Sequence, residues 1–174
     1  LIAPKPASLS MRAAAVLPLV SITAWDGLDR AGVRAGDHVL VHGGTGGVGH
    51  VAVQLAKARG ARVAATVSSA EAARTVCELG ADDAINRQQE QPAAYVQRLT
   101  GGRGFDVVVD TVGGPNLDLS FGAAAPNGRV VATAARSTHD LSPLHGKGLS
   151  LHVVFMLLPM LRDEGREKHG RILR

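Results

Sequence analysis

Two rhythms of apolar residues alternate along this chain. Short, nearly continuous apolar runs are followed by stretches with helical spacing, and brief glycine-bearing connections join them. Pro4 and Pro6 make the start extended. Ser8 or Ser10 can cap a helix through Leu17; Pro18 interrupts it, and Leu19–Leu28 resumes helical spacing. His38–His42 then reads as a strand that ends in glycines, and Val48–Arg59 as a helix stopped by Gly60. The alternation repeats as strand Arg62–Val67, helix Ala70–Leu79 closed by Gly80, strand Asp83–Asn86, helix Pro92–Leu99, strand Phe105–Asp110 and helix Gly114–Ala123. Arg129–Thr133 and Leu149–Phe155 complete the strands, while Ala134–Lys147 lacks periodicity and reads as a loop over one end of the sheet.

Strands that alternate with helices predict an α/β fold, a doubly wound parallel sheet of about six strands covered on both faces. The strands are apolar throughout, as burial on both sides requires. With aromatics at only 3% the core must be aliphatic. The length suits one domain: a helical connecting segment over 1–30 and an α/β core over 31–174.

Charge and cysteine content narrow the partners. The formal charge is +4, but Lys and Arg are scattered among Asp and Glu, without the basic stripe that nucleic acid demands. Even the densest stretch, Arg162–Arg174, mixes five basic with three acidic residues and reads as a solvated helix face. No nucleic-acid partner is expected. Apolar stretches end well short of the roughly 18 residues that a membrane helix needs, so no membrane partner is expected either. Leu1–Ser10 has no signal-peptide pattern, and a cytoplasmic location is the expectation. The single Cys77 reads as a small core residue of its helix and allows neither an internal disulfide nor a cysteine zinc site. The seven histidines show no metal spacing; His38 and His42 flank an apolar strand and read as structural, so no metal is expected.

The chemistry concentrates in Gly43-Gly44-Thr45-Gly46-Gly47-Val48-Gly49. Gly44, Gly46 and Gly49 fit G-x-G-x-x-G between a strand and a helix, the context that makes the pattern specific for a dinucleotide. Gly44 permits the tight turn, Gly46 lets a diphosphate approach the backbone, and Gly49 lets the helix pack on the strand. Amides of this turn, including that of Gly47, then face the phosphate oxygens at the positive end of the helix dipole. About 20 residues on, an NAD site places an acid at the end of the next strand. Here Ser68 and Ser69 follow Val67, and Glu71 comes only inside the next helix. Small hydroxyls, with Arg74 and Arg87 to supply positive charge, favour the 2′-phosphate of NADP(H).

With that turn, the stretches Ser21–Trp25, Gly32–Val41, Leu79–Asp82, Phe105–Gly114 and Lys147–His152 resemble the medium-chain dehydrogenase/reductase superfamily, in particular its zinc-independent quinone oxidoreductase-like branch. The resemblance covers nearly the whole chain. It implies that Thr23 and Val48 pack near the nicotinamide ring. Thr111, Val112 and Gly113 would line the far side of the cofactor cleft, and Thr133, with Ala134, would lie by the carboxamide. Ser68 and Arg87 would reach the 2′-phosphate. The family often has lysine where Ala72 stands and tyrosine where Arg87 stands. The resemblance also implies a catalytic domain before Leu1, a returning segment after Arg174, and a homodimer formed through strand 149–155, which carries no Lys, Glu or Pro to blunt its edge.

The implied activity is NADPH-dependent hydride transfer to a quinone or another α,β-unsaturated carbonyl, by a parent protein of which this piece alone is inactive. The alternatives are the cofactor domain of a zinc-dependent alcohol dehydrogenase and a non-catalytic NADPH sensor. A methyltransferase also has a glycine turn after its first strand, but would need an acid near Val67.

Overall fold

The computed structural model describes residues 3–174; residues 1 and 2, the start of the segment 1–30, lie outside them. Six strands form one sheet: β1 (His38–His42), β2 (Arg62–Val67), β3 (Asp83–Asn86), β4 (Phe105–Asp110), β5 (Ala124–Ala132) and β6 (Ser150–Val153). Their order is β3-β2-β1-β4-β5-β6, and every neighbouring pair is parallel. The chain steps outward from β1 to β3, then crosses back to lay β4 on the other side of β1. The carboxyl ends of β1 and β4 therefore flank the point where the winding reverses, where such sheets open a crevice for ligands.

Nine helices among the described residues join and cover the strands: α1 (Met11–Ala15), α2 (Leu17–Arg30), α3 (Gly49–Ala58), α4 (Ala70–Glu78), α5 (Pro92–Thr100), α6 (Asn116–Ala123), α7 (Ser142–Lys147), α8 (Leu158–Arg162) and α9 (Arg166–Ile172). The two-residue period of each strand divides the core. Val39, Val41, Val63, Ala65, Val107 and Val109 face α2, α3 and α4, while Leu40, Ala64 and Val108 between them face α5 and α6. Small side chains on both faces let the helices approach closely. No helix among the described residues is long and apolar enough to cross a membrane.

Several expectations need correction. Pro18 opens α2 rather than interrupting a helix, since it stands in the first turn, where its missing N–H costs nothing. The expected loop Ala134–Lys147 contains α7, announced by Pro143 in the first turn and ended by Gly148 in the left-handed region. Lys147 then donates to the carbonyls of Phe121, Gly122 and Ala124 at 3.1, 2.7 and 2.9 Å, which closes the carboxyl end of α6. Strand β5 starts earlier than Arg129, because Ala124 pairs with Phe105 before a register shift. Strand β6 is shorter than 149–155, because β5 ends at Ala132 and offers no ladder beyond it. Cys77 is exposed, not in the core: Ala72, Ala73, Val76 and Leu79 form the packed stripe of α4, and residue 77 falls off it.

Candidate functional site

The glycine turn leaves β1 at its carboxyl end and is held from two sides. Gly43, at φ 73°, takes the left-handed conformation, so the tight bend lies here rather than at Gly44. Its N–H donates to Thr66 Oγ1 at 3.0 Å, and the Gly44 N–H donates to the Thr66 carbonyl at 3.0 Å. Gly44 is needed for a different reason: a Cβ there would stand 2.7 Å from Ala65 Cβ and 2.8 Å from Val76 Cγ2. A Cβ on Gly49 would stand 2.8 Å from the Gly43 carbonyl carbon and closer still to its oxygen, so the first turn of α3 rests on the strand end as expected. Gly46 differs from both. It is exposed, and a Cβ there would meet only the Gly43 oxygen, at 3.1 Å. Gly47 is exposed as well, with Val20 of α2 at 3.5 Å from where its Cβ would be. No side chain caps the amino end of α3. The face over residues 46–49 is thus a bare backbone cradle at a positive helix end, and it fits a diphosphate.

Asp110 organises the opposite wall. This carboxylate, at the end of β4, is fully buried; Oδ1 accepts from the amides of Val112 and Gly113 at 2.8 Å each, and Oδ2 from Ser120 Oγ at 3.1 Å. It fixes the bend after β4 that carries Thr111, Val112 and Gly113. Thr111 Oγ1 donates to the His42 carbonyl at 2.7 Å, joining the ends of β4 and β1. A Cβ on Gly113 would stand 2.7 Å from Ala134 Cβ, so the loops after β4 and β5 touch. Thr133 closes the group, its amide donating to the Asp110 carbonyl at 3.1 Å. The structure brings these expected site residues together, with Val112 exposed between them.

The two positions read as 2′-phosphate contacts are also adjacent. Val67 pairs with Asn86, and the Arg87 amide donates to the Val67 carbonyl at 3.0 Å. Ser68 and Arg87 therefore leave neighbouring strand ends side by side, both exposed. The Ser69 hydroxyl is already engaged, because its Oγ accepts from the Ala72 amide at 3.1 Å and caps α4. Arg74 is exposed on that helix. On α2, Thr23 is buried and donates to the Leu19 carbonyl at 2.7 Å, while Val48 is half-buried.

Two groups escaped the reading from sequence. Thr66 and Asp110 act across strands, so their partners appear only once β1, β2 and β4 are adjacent. A usable signal for Asp110 was a carboxylate that closes a run of three valines shortly before a glycine pair. His42 is structural, as expected: its buried ring lies 3.4 Å from Thr66 Oγ1. Burial pushes its pKa down to about 4, against an opposing pull from Asp110, so the ring is neutral near pH 7.

An apolar cavity of about 560 Å³ lies elsewhere, between the extended start, the amino end of α2 and the segment carrying α8 and α9. Pro4, Leu17, Ile22, Leu157 and Met160 line it. Its single charged lining residue, Lys5, donates to the carbonyls of Pro6 and Leu9. This apolar pocket is unsuited to a diphosphate, and the glycine cradle is the better candidate.

Comparison with known proteins agrees with the fold. A family model described as zinc-binding dehydrogenase matches residues 47–165. An alcohol dehydrogenase superfamily protein from Novosphingobium aromaticivorans superposes with a TM-score of 0.94 at 50% identity, over 99% of this chain and 52% of that one. The quinone oxidoreductase of Thermus thermophilus, solved also with NADPH, superposes with a TM-score of 0.80 at 31% identity, over 98% of this chain and 55% of that one. A 2-haloacrylate reductase from Burkholderia sp is 41% identical over 100 residues, 58% of this chain and 30% of that protein. The chain thus spans about half the length of the two solved relatives.

Proposed function

The chain belongs to the zinc-binding dehydrogenase family, within the medium-chain dehydrogenase/reductase superfamily, and from that premise we propose that it holds NADP(H) for reduction of a quinone or another α,β-unsaturated carbonyl compound. One observation carries the cofactor reading: the bare cradle over Gly46–Gly49 leads toward a strand end where Ser68 and Arg87 stand side by side and no acid does. A carboxylate there would repel a 2′-phosphate; a hydroxyl and a guanidinium attract one.

The work divides along the carboxyl rim. Amides of residues 47–49 hold the diphosphate, while that of Gly46 closes the turn on the Gly43 carbonyl; Ser68 and Arg87 hold the 2′-phosphate, and the wall built on Asp110 orients the nicotinamide end. Thr23 and Val48 shape the near side of that cleft. When bound, the cofactor supplies a hydride; the residues of this chain orient it and exclude water. The substrate reading draws on two relatives, a quinone oxidoreductase and a 2-haloacrylate reductase, whose names share conjugated acceptors. The family name carries a metal, but no group of three or more His, Cys, Asp or Glu side chains suited to one exists among the described residues, so no step here is routed through zinc.

The rest of the proposal concerns the whole protein. The chain acts as the cofactor-holding part of a longer, cytoplasmic oxidoreductase, whose second domain forms the other wall of the substrate cleft. A free, exposed Cys77 suits a reducing compartment. Strand β6 lies at the sheet edge with Val153 47% exposed, and it pairs with its own copy across a two-fold axis.

Calorimetric titration of the chain with NADPH and NADH tests the cofactor reading. Tighter NADPH binding is expected; equal or tighter NADH binding overturns it.

A further inference from the structure

Three side chains on this rim form a hydrogen-bonded series that cofactor binding does not use. His139 Nδ1 lies 2.9 Å from Asp118 Oδ1, and His139 Nε2 lies 2.6 Å from Ser137 Oγ. The histidine side chain is only 8% exposed and stands edge-on to Phe121, with ring centroids 6.2 Å apart. Ser137 and Asp118 at the two ends are exposed. A carboxylate on Nδ1 holds a proton there and steadies the ring. Nε2 is then free to exchange a proton with the serine hydroxyl.

Both arms of this series start at the cofactor rim. Asp118 lies in the first turn of α6, which begins directly after the bend that Asp110 holds; the Asn116 amide donates to the Gly113 carbonyl. Ser137 is three residues beyond Ala134, which abuts Gly113. Three residues reach at most about 11 Å, so Ser137 cannot be far from the wall of the cleft. An exposed hydroxyl backed by a buried imidazole and a carboxylate, at the ligand-binding end of the sheet, is equipped to pass protons.

We propose that Ser137, backed by His139 and Asp118, delivers the proton that completes reduction of the unsaturated carbonyl substrate; this rests on the reductase reading above. Hydride addition at the β-carbon moves the C=C electron pair into an enolate. The Ser137 proton goes to the α-carbon as a new C–H bond forms, and the proton on His139 Nε2 moves to Ser137 Oγ. His139 becomes neutral, keeps its Nδ1 proton toward Asp118, and recovers the lost proton from water. Charge and atoms balance with the hydride donor as the sole reductant. Ser137 is the catalytic group, and His139 and Asp118 position and recharge it.

The test uses the full protein, NADPH deuterated at the transferred position, and an α-methyl enone, with parallel reactions in H₂O and D₂O. Transfer of the label to the β-carbon shows that reduction itself occurs. Wild type should then place solvent deuterium on one face of the α-carbon. Ser137→Ala should lower kcat by about 10²-fold with KM little changed, the range general acid catalysis spans, and scatter deuterium over both faces. His139→Gln and Asp118→Asn should lower kcat less and change the solvent isotope effect, whereas the neighbouring Thr138→Ala should change neither. Without cofactor, proton NMR should show a downfield imidazole N–H that His139→Gln removes. Label transfer with unchanged kcat and one-faced protonation in Ser137→Ala overturns the relay and leaves the reductase reading intact. No label transfer by wild type overturns both.

Discussion

Replacing Gly49 with alanine should damage the fold, whereas the same change at Gly46 should damage binding. At Gly49 the new Cβ would lie 2.8 Å from the Gly43 carbonyl carbon and 3.2 Å from Gly44 Cα, with the carbonyl oxygen nearer still. Carbon atoms in ordinary contact lie about 3.5–4.0 Å apart, so the first turn of α3 must retreat from the strand by several tenths of an ångström or more. Overpacking of this kind costs about 1–3 kcal/mol, and the obstacle here is backbone, which places it near the top. Alanine returns up to about 1 kcal/mol through its better helix propensity. The net loss is about 2 kcal/mol, or a fall in Tm of roughly 4–8 °C for a chain of this size. At Gly46 the Cβ meets only one oxygen, at 3.1 Å, and otherwise enters the space over the cradle. Stability should change by no more than about 0.5 kcal/mol. NADPH affinity should fall by about tenfold or more, equivalent to about 1.4 kcal/mol. Scanning calorimetry with and without NADPH separates the two effects. An unchanged Tm in Gly49→Ala, or full NADPH affinity in Gly46→Ala, would refute the assignment of roles within the turn.

Three further outcomes are expected. His42 has a folded pKa of about 4 against 6.5 when unfolded, so its contribution is neutral above pH 6.5 and turns destabilising as pH falls toward 4, because only the unfolded chain takes up the proton. Urea melts should show a loss approaching about 3 kcal/mol across that window, most of it absent in His42→Gln; burial also pushes His169 down and leaves a residual slope. Asp110→Ala strands two amides, at about 1–3 kcal/mol each where they stay buried, while the Ser120 hydroxyl keeps the Asn116 carbonyl; it should lower both urea stability and NADPH affinity, and intact affinity would show that the wall does not shape the cleft. For Val153→Lys, light scattering should report a monomer where the wild type is a dimer, and a wild type already monomeric at micromolar concentration would sink the proposed β6 interface.

The parts of the fold legible in the sequence were those that local pattern controls. The bounds of β1 to β4 follow from apolar runs that a doubly covered sheet requires, and Gly60 ends α3 as its position suggests. Helix α7 was missed because six residues are too few to show a helical period, although Ser142-Pro143 and Gly148 punctuate it. The early start of β5 has no apolar signature: Pro126 and Asn127 are exposed inside it, and only the pairing of Ala124 with Phe105 identifies it. For the site, the glycine pattern pointed to the right turn but misplaced the bend, since a motif records which positions lack side chains and not why. Gly43 lacks one for its positive φ, Gly44 for Ala65 and Val76, and Gly49 for the Gly43 carbonyl.

The hydroxyl groups along the rim show where specificity can reside. Thr23 donates to Leu19, Thr111 to His42, and Thr133 is directed at the Asp110 carbonyl at 3.4 Å; all three acceptors are backbone oxygens. The Oγ of Thr66 accepts from Gly43 and faces His42. Thr66, Thr111 and Thr133 tie the ends of β1, β2, β4 and β5 into a fixed crevice, while Thr23 bonds within its own helix, so these hydroxyls are engaged with the wall rather than offered to a ligand. At the ends of β2 and β3, by contrast, Ser68 and Arg87 remain open toward solvent. On the proposed reading, directed polar contacts concentrate at the phosphate end of the cofactor, and the nicotinamide end would be held by shape, through Val48, Val112 and Gly113. Such a division favours hydride transfer: the charged end supplies affinity that does not change during reaction, while a rigid apolar crevice sets the orientation of the ring at the reacting end.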